Sequence, residues 1–530
     1  MGNLVPRPGG DDGDLGSLTG TGFSRHILAT AKGTGYLAGG TFFAYACRFV
    51  IALVLARALG AESYGLYVLA VSAAGLFAGI SLLGIDDALV RYVAILSNRE
   101  DRDGLAGTLQ LGVIVGVSGG VVMGVVLFLC AEPIANGLFD EPALARLLRL
   151  LSVAVPFLSL SNALLGTARG FRRMDYAAFA ESVVQSIVRM VLVILLAITG
   201  WLGLYGAAIA FGLADVAASI SLILLLNRSF PLREALQRGV RRDVGAVFRF
   251  AIPLWLSGLL RQFRRNIQKV MLGAMSSIAN VGIFAIAGRV SLVAGVSSGS
   301  IYVSSKPLMA QLHDAGDRQG LHRLYATTTR WTLGMNIPFF LVIVLYAEPI
   351  LRLFGETFAS ATTALIVVAV AELIGAATGT CQGMIDMTGH VRVKLANTVL
   401  NTLVLVGGGA LLIPRFGVIG AATAALIAVS AVNVASVLEV WILERVLPFD
   451  RDSWKVVVAG AGAFLVGIGL RILMPVGTSL GLAIIQGTLV SLAYVAIVLT
   501  LGLASDDRLV IGRSLGRLGL KRMATLRGLT

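Results

Sequence analysis

From Thr108 to Cys130 the chain carries no charged side chain, and this is one of many such runs. A helix needs about 20 predominantly apolar residues to cross the hydrocarbon core of a bilayer. Fourteen stretches meet that ruler, near 37–57, 65–85, 108–130, 148–168, 177–199, 201–226, 248–273, 280–303, 328–349, 361–383, 392–413, 417–442, 455–474 and 480–504. In lipid every backbone polar group must be satisfied within the structure, so only helices and closed barrels span. Transmembrane strands would read as short alternating segments, whereas these runs are long and continuous. Only 14% of the residues are charged, against roughly 25% in soluble domains. The excess is aliphatic, with 7% aromatics and 63 glycines, the composition of closely packed membrane helices. A soluble enzyme, a disordered chain and a disulfide scaffold all fit poorly.

Lysine and arginine set the orientation. With a cytoplasmic N-terminus, thirty of the 43 basic residues fall on inner segments and eight inside spans. Five are left on the outer side: Arg57, Arg146, Arg149, Arg352 and Arg415. A missed span would scramble this alternation, so both termini are predicted to be cytoplasmic. Residues 1–36 have no apolar core and read as a flexible cytoplasmic tail, not a signal peptide. Residues 505–530 read as a basic cytoplasmic tail, resting on anionic headgroups or solvated. The net charge of +14 then finds its partner in membrane lipids and not in nucleic acid.

The chain is duplicated. Asp101-Arg102-Asp103-Gly104-Leu105 recurs as Asp317-Arg318-Gln319-Gly320-Leu321, and Ala131-Glu132-Pro133-Ile134 as Ala347-Glu348-Pro349-Ile350, both displaced by 216. Tyr64-Gly65-Leu66-Tyr67 resembles Val281-Gly282-Ile283-Phe284 at 217, and Gly203-Leu204-Tyr205-Gly206 resembles Gly417-Val418-Ile419-Gly420 at 214. Each copy holds six spans. Six is even, so the copies insert in the same sense, related by an axis along the membrane normal, as in transporters with a site between halves. The expected architecture is an all-α polytopic membrane protein with 14 transmembrane helices. An N-lobe (37–227, spans 1–6) and a C-lobe (248–446, spans 7–12) flank a central cavity, joined by a basic cytoplasmic linker (228–247). Spans 13 and 14 (447–504) lie outside the repeat. On span 3, Gly112, Gly116, Gly120 and Gly124 fall on one stripe, predicted to admit a neighbouring helix.

Catalytic and cofactor chemistry is hard to find. Cys47, Cys130 and Cys381 lie far apart in apolar surroundings without a CxxC, and read as small core residues. His26, His313, His322 and His390 form no metal-ligand spacing. No metal, cofactor or nucleotide loop is expected. The longest outer connection, 131–147, is too short to carry the platform of a membrane glycan polymerase or ligase.

Three segments carry a family resemblance: Ala56-Arg57-Ala58-Leu59-Gly60 followed by Tyr64-Gly65-Leu66-Tyr67; Leu89-Val90-Arg91-Tyr92; and Lys306-Pro307-Leu308-Met309-Ala310 running into Gly316-Asp317-Arg318. With these, residues 24–504 resemble the polysaccharide-export branch of the multidrug/oligosaccharidyl-lipid/polysaccharide flippase superfamily. The resemblance implies two six-helix lobes that open alternately to each side of a bacterial plasma (inner) membrane. It further implies a lipid-linked oligosaccharide as substrate, polysaccharide polymerase machinery as a partner and an ion gradient as driving force. Lipid II flippases share the two extra spans.

Ionisable groups inside a bilayer are costly and face a wet cavity or a partner. Span 7 reads Leu259-Leu260-Arg261-Gln262-Phe263-Arg264-Arg265-Asn266-Ile267-Gln268-Lys269. Its four cations occupy an arc of about 140° over about 12 Å of helix, so only one face is basic. Arginine forks suit phosphate oxygens, and lysine adds a point charge. Arg261, Arg264, Arg265 and Lys269, with Arg48 on span 1 and Arg289 on span 8, are therefore the candidates for a cationic cavity that binds the phosphate or diphosphate of a lipid-linked glycan. The alternatives are snorkelling to an interface or neutralisation by Glu181, Asp215 or Glu372. Those three acids read either as structural ion pairs or as ion-coupling groups, depending on whether a cation stands beside them. A multidrug cation antiporter would need acids to outnumber bases, yet the spans hold eight bases against four acids (Glu181, Asp215, Glu372 and Glu439).

Overall fold

A computed structural model of the chain describes residues 20–228, 244–475, 477, 479–502, 504, 507 and 508. The expected tail 1–19, most of the linker and nearly all of the basic C-terminal tail lie outside the described residues. Within them the chain forms helices joined by turns, with no strand. The first half comprises α1 (Gly20–Ser81), α2 (Ile85–Asn98), α3 (Arg102–Leu138), α4 (Pro142–Ser152), α5 (Val155–Gly170), α6 (Met174–Ile198) and α7 (Leu204–Leu226). The second comprises α8 (Val244–Met275), α9 (Ile278–Asp314), α10 (Arg318–Arg352), α11 (Thr362–Thr378), α12 (Cys381–Met387) and α13 (Val391–Glu444), followed by α14 (Ser453–Leu473) and α15 (Leu480–Leu501).

Among the described residues nine helices are long and apolar enough to cross a membrane, or eleven if two bent pairs each count once. The pairs are α4–α5, bent by 49°, and the limbs of α9, Ile278–Val293 and Ser298–Asp314, bent by 53°. Fourteen spans were expected, and the difference has two physical sources. α1 and α13 each contain two expected spans, broken at Gly60 (φ 72°) and Gly417 (φ 52°), where a residue without a Cβ leaves the helical region cheaply. α8, expected as span 7, carries too many charges to pass as apolar.

The repeat is visible in three dimensions. Asp101 and Asp317 each cap a helix by accepting the N–H three residues on, Gly104 at 2.9 Å and Gly320 at 2.8 Å, from nearly identical backbone angles. These loops are thus helix caps. Gly65 and Gly282, one displacement apart, dock face to face. A Cβ on Gly65 would overlap the carbonyl oxygen of Ile278, and one on Gly282 that of Ala61. Since Ala61 and Ile278 are themselves 217 apart, a local two-fold axis passes between the glycines. Around it, Phe49 meets Phe354 edge-on at 5.3 Å and Tyr64 meets Phe358 at 6.3 Å. Arg57 Nε donates to Leu353 O at 2.5 Å, adding a polar tie between the lobes.

Lipid is as apolar as leucine, so helices here gain from close fit more than from leaving water. The α3 glycine stripe shows this. Gly112 lies against Leu89, Gly116 against Ala163, Gly120 against Pro156 Cα and Gly124 against Ser152 O. α8 crosses between the lobes. Its early residues Val247, Phe248, Phe250 and Ala251 pack with Leu82, Ile85, Leu89 and Val93 of the first half, and Trp255 Nε1 donates to Gly79 O at 3.2 Å. Farther along, Gln268 Nε2 donates to Ala421 O at 2.8 Å, and Met271 fills the space beside Gly409. α14 and α15 cover α10 through Leu333, Ile337, Leu341 and Leu345 against Val456, Ala459, Ala463 and Val490. A buried clasp locks them. Arg330, 4% exposed, binds Asp450 and pairs with Asp507 at 3.0 Å, while Trp331 Nε1 donates to Asp507 at 2.8 Å.

Candidate functional site

The basic stripe sits where α8 passes from one lobe to the other. Arginine, lysine and glutamine are good helix formers, so charge does not interrupt the helix. Arg261 and Arg265 are exposed, and Arg264 and Lys269 are half-buried. Their partners are neutral amides. Arg264 Nη1 donates to Asn401 Oδ1 of α13 at 3.2 Å, Arg265 donates to Gln262, and Lys269 Nζ donates to Asn266 Oδ1 at 3.3 Å. Arg264 Nε is buried with no acceptor. Among the described residues none of the four forms an ion pair.

Arg48 and Arg289 come together although 241 residues separate them: Arg289 Nη1 donates to the backbone oxygen of Arg48 at 3.1 Å. Arg289 and Arg265 are near enough to Lys269 for their charges to act on it, and Arg261 and Arg265 act likewise on Arg264. Arg261, Arg264, Arg265, Lys269 and Arg289 therefore form one electrostatically connected group on α8 and α9, which Arg48 of α1 joins through its backbone oxygen. Such a group, rich in donors and poor in acceptors, can bind a multiply charged anion, and arginine forks favour phosphate oxygens.

The three acids separate clearly. Asp215, 2% exposed, accepts from Arg189 at 3.1 Å and from Gln185 at 2.5 Å, with the guanidinium 4.3 Å from the Phe211 ring centre. This is a structural ion pair. Glu181 lies on a π-helical turn (Phe179–Val184) lining a polar cavity of about 130 Å³ in the first half, 3.6 Å from Arg169. Glu372 on α11 has no hydrogen bond or ion pair among the described residues, and no described charge acts on it. None of the three neutralises the α8 stripe.

Several participants were invisible in the sequence. Asn401 and Asn397 sit one turn apart on α13; Asn397 Nδ2 donates to Glu439 Oε2 at 2.5 Å. Lys306, from a family motif, does not join the stripe. Its ammonium lies 3.5 Å from Asp386 and 4.2 Å from the Tyr302 ring centre, while Lys394 holds the other Asp386 oxygen at 2.6 Å. Asparagines and a lone aspartate in apolar helices carry no signal until the helix facing them is known.

The described residues contain no group of three or more His, Cys, Asp or Glu placed to hold a metal ion. Comparison with known proteins agrees with a transporter scaffold. The chain is similar to the probable flippase AglR of Haloferax volcanii, 23% identical over 435 residues, covering 78% of this chain and 84% of that protein. Its fold is that of the lipid II flippase MurJ in an inward closed conformation (TM-score 0.68, 14% identity, 87% of this chain and 98% of the other). It is also that of a multidrug resistance MATE family transporter of the MOP superfamily, inward-facing (TM-score 0.62, 17% identity, 75% and 94%). A MatE family model matches residues 253–408. A model described as "polysaccharide biosynthesis protein" matches residues 30–313, more than half of the chain. The chain therefore belongs to the polysaccharide biosynthesis protein family, with the fold of those flippase and MATE transporter structures.

Proposed function

We propose that this transporter moves a polyprenyl phosphate- or diphosphate-linked oligosaccharide from the inner to the outer leaflet of a bacterial plasma membrane, supplying cell-surface polysaccharide synthesis. The observation that carries this reading is the connected cationic group of Arg261, Arg264, Arg265, Lys269 and Arg289, which has no described carboxylate to balance it and holds the backbone of Arg48, the sixth candidate. An anion crossing the low-dielectric core must have its hydration replaced, and a surplus of fixed donors does so. The glycan travels in water between the lobes while the polyprenyl chain stays among acyl chains. The lobes rock about their pseudo-two-fold contact, presenting the cations to one side and then the other.

Removing charge tests this directly. The triple variant Arg261→Ala, Arg264→Ala, Arg265→Ala is expected to insert and fold, yet to leave labelled lipid-linked glycan on the inner leaflet in reconstituted vesicles. Wild-type flipping by a correctly folded triple variant would refute the reading. Selective flipping of lipid II over other lipid-linked glycans in the same assay would move the assignment to peptidoglycan synthesis.

A further inference from the structure

The chain holds its intramembrane cations in two ways. Arg189 is closed on the Asp215 carboxylate at 3.1 Å, and Arg330 on the carboxylates of Asp450 and Asp507. Three cations of the α8 stripe also have polar partners, but each partner is a carboxamide: Asn401 for Arg264, Gln262 for Arg265 and Asn266 for Lys269. The geometry at Asn401 shows why an amide serves there. Its nitrogen donates to Ala428 O at 3.3 Å, which turns its oxygen toward Arg264. An ionised aspartate has acceptors only and would set an oxygen against the Ala428 carbonyl. One turn earlier on α13, Asn397 Nδ2 donates to the Glu439 carboxylate at 2.5 Å. The acid of that helix is thus held by a neutral donor, and the cation facing it by a neutral acceptor.

The first copy of the repeat makes the same choice with different chemistry. Tyr45 and Arg48 stand 217 residues before Gln262 and Arg265. The Arg48 guanidinium lies over the Tyr45 ring, 6.0 Å from its centre. A ring face orients a guanidinium and leaves its charge intact. Residues three apart on a helix are neighbours, and an acid at such a position would pair with the arginine. Both copies place a neutral group there. The magnitudes separate the two kinds of partner. An anion that displaces a neutral hydrogen bond gives up about fivefold in affinity. One that must open a buried carboxylate pair gives up several hundredfold or more.

We propose that Tyr45, Gln262, Asn266 and Asn401 are positioning residues that hold the cavity cations in place with their charge uncommitted, so that the site selects a phosphate-bearing anion. This rests on the function proposed above and names what keeps its cations available. The test adds one carboxylate without changing side-chain shape, in Gln262→Glu. The readout is the melting temperature of the purified full-length protein, titrated with inorganic pyrophosphate at an ionic strength held constant with NaCl. Pyrophosphate is expected to raise the wild-type Tm saturably, and the triple variant Arg261→Ala, Arg264→Ala, Arg265→Ala to lose that rise. In Gln262→Glu the Tm in NaCl alone should be equal or higher, because a glutamate beside Arg265 supports the helix. Its pyrophosphate midpoint should nevertheless move to about fivefold higher concentration, the worth of one solvent-facing ion pair. Stability and grip therefore change in opposite directions, which a merely structural glutamine would not produce. Asn266→Asp, which sets a carboxylate beside Lys269 in the same way, decides the matter if Gln262→Glu fails to fold. A wild-type midpoint in Gln262→Glu while the triple variant loses the rise would overturn the positioning role alone, and so would a weaker grip accompanied by a lower Tm in NaCl. A rise absent from wild type, or kept by the triple variant, would overturn the anion-binding reading and this inference with it.

Discussion

Arg264 concentrates the logic of the stripe. It is held by one neutral amide, Asn401, and keeps a buried Nε–H without an acceptor. Donors left short in a buried place are costly, so such a residue is poised to gain from an incoming anion. Arg264→Gln retains a donor for Asn401 and loses the charge. Transport is expected to fall by roughly 10–150-fold, the worth of one charge-assisted hydrogen bond, with Tm nearly unchanged, as measured by flipping in vesicles and thermal melting in parallel. Asp215 makes the opposite case: its guanidinium partner is already present. Arg189→Ala is expected to cost about 3–5 kcal/mol, because a buried carboxylate loses its counter-charge, visible as a lowered Tm.

The basic face of α8 was legible from residue spacing because helical periodicity needs no knowledge of neighbours. What distinguishes Glu372 from Asp215 was not. Both are single acids in apolar runs, and only the helix opposite decides between them: Arg189 for one, Gly295 for the other. Arg57 read only as an outer-side basic residue, yet it reaches a carbonyl 296 residues away.

At the level of elements, the long apolar runs announced the helices, and the Gly65–Gly282 contact shows how two copies are joined. Their backbones touch with no room for a side chain. Gly65→Val is expected to hold that end of the lobes apart and shift the population toward the state open there. Cysteine accessibility on either side of the membrane reads this out, and an unchanged pattern would mean that the contact carries no part of the motion. The breaks at Gly60 and Gly417 were less legible. Glycine is so frequent in this chain that no single one stands out as a helix end, and it is the positive φ that marks them.

At the level of the whole molecule, the last two helices are joined to the C-lobe by packing and by the Arg330 clasp. Arg330→Ala would leave Asp450 and Asp507 facing each other without a cation and is expected to lower stability by about 3–5 kcal/mol. Burial pushes the Asp450 carboxyl up, but the Ser453 hydrogen bond and the Arg330 charge outweigh it and hold the group below the ordinary aspartate range. Its contribution is therefore complete above the unfolded-state pKa and is lost as pH falls through the lower folded value. An acid titration of Tm should show that loss in wild type and not in Asp450→Asn.

α8 has one further consequence. Its opening turns are seated in one half of the protein and its closing turns in the other, with Pro253 between them. Any swing of the halves must be absorbed within that rod, which carries the cations of the basic stripe about two turns beyond the proline. On the proposed function it is a crank: stroke and cargo share a single shaft, and the grip on the anion cannot change without the shaft turning.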